Sequence, residues 1–574
     1  MDWQRTAYIS GIFIVGLLLL IEWNKFTTQQ KLERSQQISS EITTGSNTTT
    51  ISDTINNTAT ATTSDSHSEL PYAPVVSSAE VNGLPTASDT SKNEPKTNND
   101  LIRITTDAFD ILIDKRGGDI VKVSLPKHKA RLGEDKAYTL LNRTANTTYL
   151  AQSGIVGVNA TDTASGRPLF SSSNNIYTLG DNEDTLTVDL TLQQAGVFIT
   201  KRFTFTRNDY LINISYLVDN QTASPWQGSL YGQIKRDRHI PVAAADSGFG
   251  VTPYLGAATT TIEDHYQKLD FDDLSDKTTK FSLQGGWVAM IQHYFLSAWI
   301  PNSKTTNTFR LLKLNNKDLY ILEFSSPPVT IAAGEKGQLS ADFYVGPKNI
   351  KRLETISPYL DLTIDFGWLW WIAKYLFKVL LVIDDAIGNW GWSIIVLTFI
   401  IKAIFFYPSA ISYRSMAKMR KLSPKMQRLK EMYGDDRQKM SQEMMSLYKK
   451  EKVNPMGGCL PILIQMPVFI SLYWVLMESV ELRHAPFMLW IADLSVKDPY
   501  FILPLIMGLT MYIQQTLNPT PPDPLQAKIM QWMPVAFTFM FLWFPAGLVV
   551  YWVTNNILSI IQQYLITRKI EAEG

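Results

Sequence analysis

The feature that most constrains this chain is a set of apolar segments long enough to cross a lipid bilayer. One occupies residues 7–21, between Trp3 and Trp23, and the others lie between residues 390 and 567. A hydrocarbon core of about 30 Å needs roughly 20 residues of α-helix, because each residue rises about 1.5 Å. The sequence therefore predicts a membrane protein.

Composition argues against several other classes of protein. The chain has 574 residues, and its 53 lysines and arginines balance its 53 aspartates and glutamates. A general nucleic-acid binder would normally carry a basic domain, so we expect no specific DNA partner. The single cysteine, Cys459, excludes an intramolecular disulfide framework and any multi-cysteine zinc or iron–sulfur site. The sequence contains no Walker A motif, and we expect neither an ATP site nor a cofactor.

The first apolar segment favours an uncleaved anchor over a cleaved signal peptide. Arg5 would suit the charged region of a signal peptide, but Glu22-Trp23-Asn24 offers no small-x-small cleavage pattern. Trp3 and Trp23 would lie at the two membrane interfaces, where amphipathic rings prefer to be. We therefore assign residues 1–26 to an N-terminal transmembrane anchor.

A Ser/Thr-rich stretch separates this anchor from a β-rich region. Residues 27–99 contain no Phe or Trp, and 27 of these 73 positions are Ser or Thr, so we predict a disordered linker. From residue 100 to 350, short alternating runs with turn signals between them indicate a large antiparallel β-sandwich. Its histidines lack metal-ligand spacing, and it has no nucleophile elbow. We therefore expect no catalytic residue and no metal site, and a binding or scaffolding module rather than an enzyme.

The C-terminal part of the chain is predicted to form a membrane unit, residues 390–569, followed by a tail at 570–574. Residues 351–389 should form a connector with an amphipathic interfacial helix, because Lys374 and Lys378 share one face of a short apolar segment. The fold class is thus a multidomain membrane protein, with a six-span α-helical bundle built on a five-helix core and a large antiparallel β-sandwich. The five C-terminal spans are predicted at residues 390–407, 460–477, 500–517, 529–544 and 547–567.

Loop charge predicts the orientation of the spans. Residues 413–452 carry 12 Lys and Arg residues against five acidic residues, a net charge of +7. The positive-inside rule places this loop in the cytoplasm, which puts both termini in the cytoplasm and residues 24–367 outside. The first span judged alone disagrees, because Arg5 precedes it and Lys25, Lys31 and Arg34 follow it. We expect the more strongly charged loop, residues 413–452, to determine the orientation of the spans.

The same basic loop, at about residues 413–452, is predicted to form a helical hairpin. Ser423-Pro424 is a helix-start signal, Gly434 a stop and Asp435-Asp436 a second start. One interpretation is a solvated basic face near anionic lipid. The other is a docking surface for a polyanionic partner such as a ribosome, or for an emerging chain. The candidate docking residues are Arg414, Lys418, Arg420, Lys421, Lys425, Arg428 and Lys430.

Polar residues within the predicted spans suggest a functional site. Lys402 lies about 9 Å from the cytoplasmic end of its span. It can snorkel to the headgroups, or it can face a water-containing groove. Interhelical hydrogen bonding is the alternative for the uncharged residues. With a lysine among them we favour a groove, and the candidate groove residues are Thr398, Lys402, Gln465, Ser471, Gln514, Thr538, Trp552, Asn555 and Ser559.

Several motifs resemble the bacterial membrane protein insertases of the YidC/Oxa/Alb family, in the Gram-negative form. The similarity covers essentially the whole chain, although the β-rich region matches mainly in position and size. The motifs are Asn389-Trp390-Gly391-Trp392-Ser393, Ser415-Met416-Ala417-Lys418-Met419, Gly434-Asp435-Asp436 with Gln442-Glu443-Met444-Met445, Val453-Asn454-Pro455-Met456-Gly457-Gly458-Cys459-Leu460-Pro461 leading into Gln465-Met466-Pro467, and Leu542-Trp543-Phe544-Pro545-Ala546-Gly547-Leu548.

The resemblance implies an insertase of the bacterial inner membrane. The β-rich region would be a periplasmic supersandwich, similar in fold to sugar-mutarotase-like domains without being one. The five spans would enclose a hydrophilic groove, open to the cytoplasm and the lipid but closed toward the periplasm. The implied partners are nascent membrane proteins, the lipid bilayer, the translating ribosome, and the Sec translocon with its accessory subunits.

One groove position departs from the family pattern. The family usually has arginine where this chain has Lys402, which keeps the charge but loses the bidentate fork. The groove lysine would attract the polar segment of a client, while the apolar segment slides along the lipid-exposed wall. Two other functions remain open. One is a small-solute transporter with Lys402 as counter-ion, although we see no internal repeats. The other is an envelope scaffold with an extracytoplasmic binding domain.

Overall fold

The computed structural model describes residues 100–572, with gaps at 158, 164–165, 240–252, 315–317, 434–435, 452, 454–459 and 519–523. The predicted anchor, residues 1–26, and the predicted linker, residues 27–99, lie outside the described residues. Strands predominate from Leu101 to Pro347, where polar and apolar side chains alternate. Helices predominate from Ile350 onward, where longer apolar runs occur.

Twenty strands and one short helix, α1 (Phe271–Asp276), make up the described part of the chain from 101 to 347. The strands are β1 (Leu101–Thr105), β2 (Asp110–Asp114), β3 (Asp119–Lys129), β4 (Ala137–Arg143), β5 (Thr148–Val156), β6 (Ser171–Ser172), β7 (Ile176–Thr178), β8 (Thr185–Gln194), β9 (Val197–Thr206), β10 (Leu211–Asn220), β11 (Trp226–Asp237), β12 (Gly256–Thr259), β13 (Gln267–Leu269), β14 (Thr279–Gln284), β15 (Val288–Gln292), β16 (Phe295–Pro301), β17 (Thr306–Lys313), β18 (Leu319–Ser325), β19 (Val329–Ile331) and β20 (Lys336–Pro347).

These strands form two sheets. The first has eleven strands in the order β14-β17-β18-β11-β5-β4-β3-β2-β1-β7, with β19 also paired to β11. The second has nine strands in the order β13-β12-β15-β16-β20-β10-β9-β8-β6. Neighbouring strands are antiparallel except β1 and β7, and large side chains such as Trp226, Trp299 and Phe203 fill the core. The predicted antiparallel β-sandwich is confirmed.

Strand β9 places a lysine in this core. Side chains of a strand alternate between its two faces, and every second residue of β9 from Val197 to Phe205 is buried. Lys201 occupies one of these inward positions, between Ile199 and Phe203, and is fully buried. Burial lowers the pKa of Lys201 to about 7, and the nearby Asp119 carboxylate opposes that shift.

The ammonium group of Lys201 connects the two sheets. It donates hydrogen bonds to the carbonyls of Gly117 and Gly118, both at 2.9 Å, and of Ser153 at 3.1 Å. These acceptors belong to the β2–β3 turn and to β5, in the sheet opposite β9. Gly118 has a φ of +63°, and a Cβ there would lie 2.9 Å from Lys201 Cδ, so the turn requires glycine. Three acceptors satisfy all three ammonium N–H groups.

Nine further helices follow in the described chain. They are α2 (Ile350–Ile356), α3 (Trp370–Ile387), α4 (Trp390–Ile404), α5 (Phe406–Tyr433), α6 (Arg437–Lys450), α7 (Leu460–Glu478), α8 (Ile502–Thr516), α9 (Pro524–Phe541) and α10 (Ala546–Ala572), with 3-10 turns at Leu360–Thr363, Gly367–Leu369 and Val480–Leu482.

Helix α3 buries an apolar face against the protein, and Lys374 lies beside that face. Lys374 forms ion pairs with Glu354 at 2.9 Å and Asp361 at 2.8 Å, both in the preceding connector. Trp371 is 54% exposed and Tyr375, one turn later, is 71% exposed. Aromatic rings of this kind prefer a membrane–water interface. The placement of α3 at such an interface stays a prediction.

The helices differ from their predicted bounds at two places. The segment predicted as span 390–407 breaks after Ile404, and α4 and α5 meet there at a bend of 68°. Helix α5 then continues through Pro424, where the sequence predicted a new helix start. Proline leaves the carbonyl four residues earlier without its partner. Pro424 and Arg420 are both exposed, so water can satisfy that carbonyl.

Length and apolar character identify one membrane-crossing candidate among the described residues. No helix there qualifies by itself, whereas α4 and α5 qualify when taken together across their bend. The number of spans stays a prediction.

Buried polar contacts join the sandwich to the end of α7. Lys348 follows β20 and forms a 2.5 Å ion pair with Glu478, with side chains only 2% and 3% exposed. The carbonyl of Met477 lies 2.7 Å from Nε2 of His293, which lies between β15 and β16. Arg483 donates to backbone carbonyls at the end of β3. Removing one partner of a buried ion pair leaves the other charge with neither water nor a counter-ion. This lowers the free energy of unfolding by roughly 3–5 kcal/mol.

We predict that Lys201→Met destabilises the sandwich by about 3 kcal/mol, because it removes three buried hydrogen bonds of a charged donor that join the two sheets. Hydrogen exchange of the β5 and β9 amides in the full-length protein measures the change. Lys280→Met on the exposed side of edge strand β14 is the control and should change stability by less than about 0.5 kcal/mol. Equal protection in the two variants would contradict the cross-sheet role of Lys201.

Candidate functional site

Lys402 lies in the last turn of α4 and contacts α10. Its Nζ donates a 2.7 Å hydrogen bond to Oγ of Ser559, which in turn donates to the carbonyl of Asn555 at 2.7 Å. Helix α4 ends two residues later, and a cation near a helix C-terminus interacts favourably with the helix dipole. The structure thus brings together Lys402 and Ser559, two of the predicted groove residues.

A cavity of about 320 Å³ lies beside this hydrogen bond, between α4 and α10. Its walls are apolar apart from Lys402 and Gln562, and Gln562 Nε2 donates to the Phe406 carbonyl at the bend. Several lining side chains are strongly exposed, so the cavity opens on the outer surface of the helical unit. The residues that line it are Phe399, Lys402, Ala403, Phe406, Leu558, Ile561, Gln562, Leu565 and Ile566.

Three predicted groove residues have buried polar atoms that lack a partner in the described part of the chain. They are Ser471 Oγ on α7, and Trp552 Nε1 and Asn555 Oδ1 on α10. The Trp552 ring packs edge-to-face on Phe469, with centroids 4.7 Å apart, where α7 meets α10. A buried polar atom without a partner costs roughly 1–3 kcal/mol, so water or a bound group would stabilise these positions.

Gln465 has a protein partner instead. Its Nε2 donates to the hydroxyl of Tyr551, which is fully buried on α10. This contact links α7 to α10 and matches the interhelical hydrogen bonding that was the alternative for uncharged residues in the spans.

The side chains of the other three predicted groove residues form no hydrogen bond with Lys402 in the described chain. Thr398 is fully buried and donates to the carbonyl of Ile394 in its own helix. Thr538 also bonds within its helix, and it faces Gly508 of α8, where a Cβ would lie 2.1 Å from its Oγ1. Gln514 is half-buried on α8, and its side chain has no hydrogen bond to any described residue.

A second polar row on α10 escaped the sequence analysis. Asn556 donates to Thr510 Oγ1 at 3.1 Å, and Gln563 donates to the Leu517 carbonyl at 3.1 Å. Both side chains are nearly fully buried against α8. Their spacing of seven residues was the available signal, since it places both on one helical face.

The basic hairpin consists of α5 and α6, which pack through a hydrogen bond from the Tyr448 hydroxyl to Met426 Sδ at 3.1 Å. All seven predicted docking residues are exposed on α5. Lys425 pairs with Glu451 at 2.7 Å, and Lys421 donates to the carbonyl of Ile570. The other five form no ion pair within the described ranges. The hairpin therefore presents largely uncompensated positive charge.

Two family models together match almost all of the described chain. The YidC periplasmic domain matches residues 101–379, and the 60Kd inner membrane protein matches residues 382–573. The chain is also 55% identical over 573 residues to the membrane protein insertase YidC of Cellvibrio japonicus, covering 100% of this chain and 99% of that relative. The corresponding protein of Saccharophagus degradans is 52% identical over 586 residues, with 100% of both chains covered.

The chain belongs to the YidC family of membrane protein insertases. It is an inner-membrane protein with a periplasmic domain, and it inserts membrane proteins. These matches confirm the family resemblance and the predicted insertase function. They favour that function over the transporter and scaffold alternatives.

The chain is also distantly similar to solved structures. A crystal structure of an active YidC insertase is 18% identical, covers 81% of this chain and 94% of its own, and has a TM-score of 0.38. A galactose mutarotase-like protein from Lactobacillus casei is 13% identical, covers 43% of this chain and 99% of its own, and has a TM-score of 0.29. Neither score reaches 0.5, so membership in the YidC family rests on the sequence matches.

We predict that water reaches Asn555 in this insertase. In a Cys459→Ser background, Asn555→Cys should react with a permanently cationic methanethiosulfonate about tenfold faster than Leu548→Cys, because the reagent needs a hydrated thiolate. Leu548 is the control, since it lies on the same helix and is fully buried among apolar residues. Equal labelling of the two positions would mean that the region around Asn555 is dry.

Proposed function

We propose that Lys402, Ser559 and the cavity beside them form the point at which the insertase receives the polar segment of a client. The observation that carries this proposal is the 2.7 Å hydrogen bond from Lys402 to Ser559 at the edge of an otherwise apolar cavity. An ammonium group has three N–H donors, and Ser559 accepts one. The remaining donors are available to a carboxylate or carbonyl of the client.

The surroundings of Lys402 favour attraction of acidic client segments. No carboxylate within 4 Å neutralises it among the described residues, and Ser559 is uncharged. At an effective dielectric constant of 20, two opposite charges 4 Å apart attract each other by about 4 kcal/mol. Contact with a neighbouring helix also supports a groove-facing lysine over one that extends only to the headgroups.

The unpartnered atoms of Ser471 on α7, and of Trp552 and Asn555 on α10, support a hydrated path between these two helices. We propose that Gln465 and the more distant Thr398, Gln514 and Thr538 shape the helix packing around the path. Water there would let polar client residues keep their hydrogen bonds while they cross part of the hydrocarbon.

The apolar segment of the client supplies the driving force in this proposal. Its transfer into lipid releases about 25 cal/mol for each Å² of apolar surface removed from water. Insertion then needs no covalent chemistry, no metal and no bound cofactor, so we propose that the protein is not an enzyme in the chemical sense.

We also propose six spans with both termini in the cytoplasm, so that the basic hairpin faces the cytoplasm. The exposed charge of α5 supports a polyanionic partner, and we propose the translating ribosome. The Sec translocon and its accessory subunits enter this proposal on the family resemblance alone.

Lys402→Ala should slow the insertion of a client with an acidic translocated segment about tenfold, equivalent to about 1.4 kcal/mol. The measurement is protease protection of the client in proteoliposomes. The same client with its Asp and Glu residues changed to Asn and Gln is the control and should be affected less than twofold. Lys402→Arg should retain activity, because it keeps the charge. Equal insertion of both clients by Lys402→Ala would refute the electrostatic role.

The combined substitution Arg420→Glu, Arg428→Glu and Lys430→Glu should weaken ribosome binding about tenfold, because these exposed cations have no ion pair in the described structure. Co-sedimentation of the detergent-solubilised insertase with translating ribosomes measures it. Lys421→Glu with Lys425→Glu is the comparison, since both lysines already have partners. Unchanged co-sedimentation of the triple variant would favour the alternative interpretation, in which the basic face of α5 is solvated and binds no ribosome.

A further inference from the structure

A second cavity, of about 620 Å³, lies where the sandwich meets the turn that follows α7. The β9–β10 turn, the ends of β3 and β20, the start of α2 and the turn at Val480–Leu482 enclose it. This volume falls within the range of about 300–1,000 Å³ that is usual for small-molecule sites. The charged residues that line it are Lys127, Arg207, Asp209, Arg352 and Glu481.

Two of these five charged residues have no ionic partner. Arg352 forms a bidentate pair with Asp209, and Lys127 pairs with Asp107 just outside the cavity. Arg207 and Glu481 have no opposite charge within 4 Å in the described chain. The cavity therefore contains one uncompensated cation and one uncompensated anion.

Both uncompensated groups are held in place by uncharged neighbours. Arg207 donates to backbone carbonyls of residues 180, 181 and 183. One carboxylate oxygen of Glu481 accepts from Asn349 Nδ2 at 3.3 Å, and the other, Oε2, is buried without a partner. A buried carboxylate oxygen with no donor is costly, so a bound donor would stabilise it.

Burial also affects the titration of this site. It raises the pKa of Glu481 to about 7, so a cation bound next to the carboxylate would stabilise its charged form. His128 also lines the cavity, and burial lowers its pKa to about 4. His128 is therefore neutral near pH 7 and supplies no competing charge.

The position of Glu481 indicates where a ligand would come from. The predicted span of α7 ends at Met477, only four residues earlier, and Glu478 ends the helix. Four residues beyond a span reach the headgroup layer of the bilayer, which is about 5–8 Å thick on each side. With the predicted orientation, this is the periplasmic leaflet.

We propose that this cavity binds the headgroup of a phospholipid that carries a primary amine, such as phosphatidylethanolamine. The phosphate lies toward Arg207 and the ammonium toward Oε2 of Glu481. A zwitterion matches one free cation and one free anion, whereas an anionic headgroup leaves Glu481 unpaired. A primary ammonium can donate hydrogen bonds to Oε2, and a quaternary ammonium has no N–H group to donate.

Native mass spectrometry of the full-length protein in detergent tests the proposal with three lipids of identical acyl chains. Phosphatidylethanolamine should bind about tenfold more tightly than phosphatidylcholine or phosphatidylglycerol. Glu481→Gln keeps the shape of the side chain and should abolish this preference. Glu263→Gln, at an exposed acid that does not line the cavity, should preserve it.

Two further measurements separate the headgroup from the acyl chains. Arg207→Gln should weaken the binding of phosphatidylethanolamine about tenfold, and circular dichroism checks that this variant is folded. Soluble glycerophosphoethanolamine, which has the same headgroup without acyl chains, should compete with the lipid. Equal binding of the three lipids, a preference that survives Glu481→Gln, or failure of glycerophosphoethanolamine to compete would each overturn the proposal.

Discussion

The cost of burying a charge away from water is the constraint on which the rest of this structure depends. Lys201 meets it with three carbonyl acceptors in the opposite sheet. Lys348 meets it with the carboxylate of Glu478. Lys402 meets it only in part, with one hydroxyl. The first two charges fix the architecture, and the third retains the capacity to bind something else.

The side-chain periodicity of the strands made the sandwich predictable. The bend and the length of the helices could not be predicted in the same way. Strands have a side-chain period of two that is visible over five residues, so the fold of residues 100–350 followed from the pattern. The bend after Ile404 depends on packing against neighbours, which no local pattern records. Pro424 is a start signal in most contexts, but an exposed proline can lie inside a long helix when water replaces the lost bond.

The candidate site was predictable to the extent that its residues share one helix face. Their spacing of four placed Asn555 and Ser559 on one face, and in the structure Ser559 bonds both to Lys402 and to the Asn555 carbonyl. Thr538 contacts Gly508 on a different helix instead. The rotation of one helix relative to another is set by side-chain packing, so a polar residue in a span does not reveal which neighbour it faces. Asn556 and Gln563 share a face by their spacing of seven, but that spacing does not reveal that the face packs on α8.

The buried pair between Lys348 and Glu478 has a mechanical consequence. It attaches the last strand of the sandwich to the final turn of α7, the helix that also carries Gln465 and Ser471. A force on the sandwich would therefore be transmitted to the end of α7 through this ion pair. A partner that binds the sandwich outside the membrane could thereby change the helix packing inside the membrane.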